Sequence, residues 1–211
     1  MRQKIKNNSL YLIITEEYGR GRSALEIAGA AIAGGVDIIQ MREKKKGEAE
    51  LVELGVKLAE LCKNRNVPFI VNDDPMLAKK VGADGVHLGQ EDARRITASV
   101  ARDILGDDKI IGLSTSCIEE IKKANSEDVD YIGFGPVFPT VLKEKCVGTT
   151  DVAKVLEISK KPVFFIGGIN LTNIDELITI GARNIALMRG ISEAEDVKAI
   201  TEDFVKRIRG R

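Results

Sequence analysis

The chain has 211 residues, 32 Lys and Arg against 32 Asp and Glu, and 44% hydrophobic residues. That balance excludes a protein whose main work is coating nucleic acid or an anionic membrane, since both need a basic field, and it fits one globular domain over 1–211. Cys62, Cys117 and Cys146 are odd in number and widely spaced, so they read as reduced thiols, and with a polar N-terminus and no run of about 18 apolar residues the expected location is the cytoplasm.

From the N-terminus onward, short apolar runs alternate with longer stretches of helical spacing. A strand over 10–15 precedes a helix over 24–33, and a strand over 36–41 precedes a helix over 48–65. Strands follow at 67–71 and 85–88, then a helix over 93–105, a strand at 110–113 and a helix over 118–125. The series closes with strand 131–134, helix 151–158, strand 163–166, helix 173–180, strand 185–188 and helix 194–207. Gly82, Gly106 and Gly181 stand where helix C-caps are expected. Several strands are almost continuously apolar, as parallel strands covered on both faces must be. This repeated βα pattern, with no Gly-x-Gly-x-x-Gly turn after the first strand, predicts a single-domain (β/α)8 TIM barrel rather than a doubly wound dinucleotide fold.

In such a barrel the chemistry belongs at the carboxyl ends of the strands. The second strand runs into Gln40-Met41-Arg42-Glu43-Lys44, where Gln40, Arg42 and Lys44 share one parity and are expected to project to one side of an extended segment. A planar Arg fork beside a Lys point charge suits a polyanion, whereas Lys45 and Lys46 read as a solvated turn. The third strand ends in Asn72-Asp73-Asp74-Pro75 and the fourth in His87-Leu88-Gly89-Gln90-Glu91-Asp92. Asp73 and Asp92 have two readings: carboxylates for a phosphate-bound Mg2+, or helix caps. Asp74, before Pro75, reads as a cap. His87, the only histidine, reads as a structural hydrogen-bond partner rather than a general base, and Cys117 as an inert thiol. Ser114-Thr115-Ser116 follows the fifth strand, and a long connector over 135–150, carrying Thr140 and Lys143, follows the sixth. Gly167-Gly168 and Met188-Arg189-Gly190 lie where many barrels hold a phosphate on backbone N–H groups. Two phosphorylated small molecules are therefore expected as ligands, with no nucleic acid or membrane partner and a homo-oligomer left open.

Tyr11-Leu12-Ile13-Ile14-Thr15, Gln40-Met41-Arg42-Glu43-Lys44, Asn72-Asp73-Asp74, Gly85-Val86-His87-Leu88-Gly89-Gln90-Glu91-Asp92, Gly135-Pro136-Val137-Phe138-Pro139-Thr140 and Gly167-Gly168-Ile169 occur in this order over nearly the whole chain. Together they resemble the thiamine-phosphate synthase family. The resemblance implies a transferase that joins 4-amino-2-methyl-5-hydroxymethylpyrimidine diphosphate to a thiazole monophosphate, releasing pyrophosphate, with Mg2+ as cofactor. It implies that Gln40, Met41, Arg42, Glu43, Lys44 and Asn72 form the pyrimidine diphosphate site, that Asp73 and Asp92 ligate Mg2+, and that Ser114 and Lys143 add diphosphate contacts. Arg42, Lys44, Lys143 and Ser114 would then be the catalytic groups. Thr140, Val141, Leu142, Gly168 and the backbone of Met188 and Arg189 resemble the thiazole phosphate site.

The chain departs from the family pattern at Leu142, where a hydroxyl is usual, at Glu144 to Gly148, and at Arg189, where Ser is common. The rival readings are a thiazole tautomerase paralogue, against which Asp73, Asp92, Arg42 and Lys44 argue, an FMN-dependent barrel oxidoreductase, and a sensor of thiamine phosphate or its precursors.

Overall fold

Eight parallel strands close on themselves in sequence order: β1 (Leu10–Ile14), β2 (Ile38–Met41), β3 (Phe69–Asn72), β4 (Gly85–Leu88), β5 (Ile110–Thr115), β6 (Tyr131–Phe134), β7 (Val163–Ile166) and β8 (Ile185–Leu187), with β8 back against β1. The structure is a computed structural model and describes residues 5–89, 96–140 and 147–210. Among the described residues the helices are α1 (Ala24–Ala33), α2 (Glu48–Lys63), α3 (Pro75–Lys80), α4 (Ala98–Leu105), α5 (Ile118–Ala124), α6 (Gly148–Ile158), α7 (Ile174–Ile180), α8 (Arg189–Ser192) and α9 (Val197–Arg209). The (β/α)8 barrel expected from the alternation is therefore present.

Most ends differ from the sequence reading by a few residues. Two short helices were not in it: α3, opened by Pro75 after the Asp74 cap, and α8, which packs between β8 and α9. Each is too short to show a 3.6-residue period. The segment read as helix from 194 instead begins at Val197, where Asp196 Oδ1 accepts from the Ala199 N–H at 2.9 Å. At α1, Ser23 and Glu26 form a reciprocal capping box, an arrangement worth about 1 kcal/mol.

Side chains alternate along each strand, and the two faces meet different neighbours. Leu12, Ile39, Val71, Val86, Ile132 and Phe165 point outward and join Ile27, Leu58 and Leu177 of the helices in one continuous core. Tyr11, Ile13, Ile38, Ile70, Ile110, Tyr131 and Phe164 point inward and form a smaller cluster inside the ring. This is why the strands lack polar alternation: both faces are dry.

At the amino ends a repeated device holds the ring. Asp37, Asp84 and Asp130 each precede an even-numbered strand, and each accepts from the first free N–H of the strand before it: Leu10 at 2.9 Å, Phe69 at 2.9 Å and Ile111 at 2.8 Å. Asn184, before β8, takes the Ser9 N–H at 3.1 Å and completes the circuit. Buried Arg102 reaches this face from α4, bonding Asp130 at 2.8 Å and Asp128 at 3.1 Å.

Candidate active site

Inside the ring, a line of polar groups crosses the apolar cluster. The Gln40 Nε2 amide donates to the Tyr11 hydroxyl at 2.6 Å, and the Tyr11 and Tyr131 hydroxyls lie 2.8 Å apart. Tyr131 is 3.0 Å from His87 Nδ1, and His87 Nε2 is 2.9 Å from the Ser114 hydroxyl at the mouth. Two strand glycines make the room. His87, Gly112 and Tyr131 share one register row, and a Cβ on Gly112 would collide with the Tyr131 ring and His87 Nδ1. Gly133 likewise faces the imidazole. Burial pushes the His87 imidazole down to about 4, so it is neutral at physiological pH, and it pushes the Tyr11 and Tyr131 phenols upward. His87 is thus a bonded interior group, as its sequence context implied. The buried Gln40 Oε1 has no hydrogen-bond partner among the described residues.

At the rim, β3 stops after Asn72 because Asp73 takes a left-handed conformation with φ 63°. A non-glycine residue in that region is uncommon, and Asp tolerates it better than most. Its N–H donates to the His87 carbonyl at 2.8 Å, while its carboxylate accepts from the Gly89 N–H at 2.8 Å and from the Asn72 amide. Asp74 caps α3 by accepting from the Leu77 N–H at 2.9 Å, as read from the sequence. Lys44, Asn72 and Asp73 line one cavity of about 160 Å³.

The strand-parity argument for Gln40, Arg42 and Lys44 does not carry through. β2 ends at Met41, so Gln40 points into the ring while Arg42 and Lys44 sit on the turn beyond it. What unites the two cations is charge. Lys45 pairs with Glu17 at 3.0 Å and Lys46 with Glu16 at 2.7 Å, whereas Arg42 and Lys44 have no side-chain hydrogen bond or ion pair among the described residues. Lys45 is exposed on the turn, as the solvated-turn reading has it, while Lys46 is half-buried beside Glu16. Two other residues of the segment, Met41 and Glu43, line the same cavity as Lys44 and also have partners of their own. The Met41 side chain lies in the outer core, and the Glu43 carboxylate accepts from the Glu16 N–H at 2.5 Å and the Thr15 hydroxyl at 3.3 Å. Burial raises the Glu43 pKa despite those donors.

Across the mouth, Gly167 and Gly168 have φ 100° and 67°. A Cβ on Gly168 would strike Phe138 and Pro139, so the connector after β6 rests directly on this turn. The Phe138 N–H donates to the Gly167 carbonyl at 3.0 Å, and the far end returns through Val147 N–H to the Pro136 carbonyl at 2.9 Å. Thr140 stands on this connector, and Met188 packs beside the inner cluster. Arg189 bonds Glu193 at 2.7 Å and lies 5.1 Å over the Tyr18 ring, so its side chain is held along the rim. Asp92, Val141, Leu142 and Lys143 lie outside the described residues.

Asp73 supplies one carboxylate to the cavity that Lys44 also lines, which suits a hard cation that keeps phosphate oxygens and water as its other ligands. No group of three or more ligating side chains occurs among the described residues. A second cavity, of about 410 Å³, opens at the opposite end of the ring around Lys161, Arg183 and Asn184. In barrels that end serves stability rather than chemistry. Tyr11 and Tyr131 escaped the sequence reading, although hydroxyl-bearing rings and strand-interior glycines in otherwise apolar runs mark a polar interior.

A model of the thiamine monophosphate synthase family matches residues 10–191. The chain is 45% identical over 196 residues to a thiamine-phosphate synthase of Persephonella marina, with 92% of each chain covered. It is 42% identical over 198 residues to that of Halalkalibacterium halodurans, again covering 92% of each. The solved structure of a thiamine phosphate pyrophosphorylase from Pyrococcus furiosus is similar with a TM-score of 0.88 at 35% identity, covering 97% of each chain.

Proposed function

The chain belongs to the thiamine monophosphate synthase family and is a transferase that makes thiamine phosphate; from that premise we propose how its residues divide the work of joining a pyrimidine diphosphate to a thiazole monophosphate. The amino group of the pyrimidine pushes electrons toward the methylene carbon as the carbon–oxygen bond to diphosphate breaks. The thiazole nitrogen then attacks that carbon. No protein nucleophile and no general base is required, which accords with an interior, neutral His87.

The observation that carries this reading is the pair Arg42 and Lys44 on the turn after β2, which have no side-chain hydrogen bond or ion pair among the described residues, with Lys44 lining the same cavity as Asp73. They stabilise the charge that gathers on the departing diphosphate, and in a partly dry site such preorganised charge acts on the transition state more than on the substrate. Gln40, Asn72 and Ser114 orient the pyrimidine diphosphate, with Lys143 assigned by resemblance. The Gly168 turn and the Met188 and Arg189 backbone receive the thiazole phosphate, with Thr140, Val141 and Leu142 closing over it by resemblance. Met41 and Glu43, which line the same cavity as Lys44, Asn72 and Asp73, belong to the pyrimidine diphosphate site by resemblance. Asp73 and, by resemblance, Asp92 would hold Mg2+, which would supply Lewis-acid stabilisation of the diphosphate. The enzyme works in the cytoplasm on small phosphorylated molecules, without a nucleic acid or membrane partner; no described helix is long and apolar enough to cross a membrane.

The test is thiamine phosphate formation from the two substrates, with Mg2+ or with EDTA, by wild type and Asp73→Ala. Metal-dependent product that falls by at least about a hundredfold in Asp73→Ala is expected. Undiminished product with EDTA would remove the metal from the scheme, and absence of product in wild type would remove the scheme itself.

A further inference from the structure

Between Arg42 and Lys46 the chain has neither helix nor strand, so something other than regular backbone bonding must hold the turn that carries the two cations. Among the described residues its ties run to one place, the end of β1 and the single helical turn over Glu16–Tyr18. The Arg42 N–H donates to the Ile14 carbonyl at 2.9 Å. Glu43 stands between Arg42 and Lys44 in the chain, yet its carboxylate accepts from the Glu16 N–H at 2.5 Å and the Thr15 hydroxyl at 3.3 Å. Lys46 pairs with Glu16 Oε2 at 2.7 Å, with 24% of the lysine side chain and 32% of the glutamate side chain exposed. Glu16 thus receives the turn at two points. Its other carboxylate oxygen accepts from the Ala24 N–H at 3.0 Å, which fastens it to the first turn of α1. The Glu16 and Glu43 carboxylates repel each other, and Lys46 offsets that repulsion. The same ammonium, with the Ala24 N–H, holds the Glu16 carboxyl below its ordinary pKa, so the tie is charged at neutral pH.

We propose that Glu16 is a positioning residue for the diphosphate: by holding Lys46 on its carboxylate and Glu43 on its N–H, it sets the backbone over 42–46, and with it the Arg42 and Lys44 heads, before the anion arrives. This rests on the reading of Arg42 and Lys44 as the groups that meet diphosphate. Gathering two long, like-charged side chains around one ligand costs ordering entropy, and a turn fastened beforehand has already met the backbone's share of it. A carboxylate acting only through its charge would do the opposite. It would repel the anion, so its neutralisation would tighten binding, whereas loss of a tie weakens it.

The experiment is calorimetric titration of inorganic pyrophosphate into the whole chain in Mg2+-containing buffer, beside steady-state kinetics. Glu16→Gln keeps the N–H for Glu43 and an oxygen for Ala24 but loses the charge that holds Lys46. It is expected to weaken pyrophosphate binding about tenfold and to raise KM for the pyrimidine diphosphate by a similar factor, leaving KM for the thiazole phosphate unchanged. Lys46→Met should act alike, and Lys46→Arg should keep most of the affinity because a guanidinium still pairs with Glu16. This second pair of variants decides the matter should Glu16→Gln fold poorly. In an Arg42→Ala background the loss from Glu16→Gln should shrink, since Glu16 acts through that head. Pyrophosphate affinity that is unchanged or tighter in Glu16→Gln, a lowered melting temperature with wild-type affinity, or an undiminished loss in the Arg42→Ala background would overturn the proposal. Wild-type affinity in Arg42→Ala alone would overturn the reading of the cations, and the proposal with it. Wild type that binds pyrophosphate but makes no thiamine phosphate would overturn the functional reading, while the titrations still decide the role of Glu16.

Discussion

His87 is 9% exposed, and burial moves its pKa from an ordinary 6.5 to about 4. Because the folded-state value is depressed, the unfolded chain takes up the proton first as pH falls. The stability contributed by the neutral imidazole is therefore complete above about 6.5 and is lost between 6.5 and 4, to the extent of about 3 kcal/mol. Urea denaturation at pH 7 and pH 4 should show wild type losing roughly that much more than His87→Asn; equal losses would mean the ring is already charged in the fold. Arg42 gives a second residue-scale expectation. With no ion pair to break among the described residues, Arg42→Ala should leave stability nearly unchanged while lowering kcat by about two orders of magnitude, and Arg42→Lys should recover only part because the planar fork is gone. A drop in melting temperature that parallels the lost activity would contradict this.

At the junction of β3 and α3, two adjacent carboxylates have separate duties. Asp74 holds the first turn of α3, so Asp74→Ala should cost about 1 kcal/mol in denaturation and leave kcat close to wild type. Asp73→Ala should lose most of its activity and also some stability, because it frees the Gly89 N–H and places Ala in a left-handed conformation, and equal activity losses from both substitutions would merge their roles. The Asp-Pro step made the cap legible in the sequence, as apolar runs made legible all eight strands and glycines the ends of α4 and α7. The carboxyl ends of the strands also located Asn72, Asp73 and Ser114 correctly at the mouth. Other parts were hidden for physical reasons. Helices of four to six residues have no period to detect, hence α8 and α3. The face on which Lys44 sits depends on where β2 stops, which register with β1 and β3 decides and parity does not. The inner chain joins β2, β1, β6, β4 and β5, so it exists only after the ring has closed.

The whole molecule separates strength from chemistry. Its amino-end face carries Asp37, Asp84 and Asp130 on strand N–H groups, Asn184 on the Ser9 N–H and Arg102 in the aspartate clamp; its carboxyl-end face carries Arg42 and Lys44, unpaired among the described residues, and the left-handed Asp73. Arg102→Ala leaves mostly buried Asp130 without its cation and should cost about 3 to 5 kcal/mol, while kcat measured well below the melting temperature stays near wild type. A kcat that falls in proportion would show the two faces to be coupled. The ring that makes this division possible also has a history. Leu10 pairs with Ile185, so the first strand waits for nearly the last before its free side is covered. While the nascent chain lacks β8, both β1 and β7 offer bare backbone donors and acceptors to any other extended segment, including the same segment of a neighbouring chain. Seating one three-residue strand removes both openings at once, so the interval of vulnerability to self-association ends with β8 and does not recur in the finished molecule.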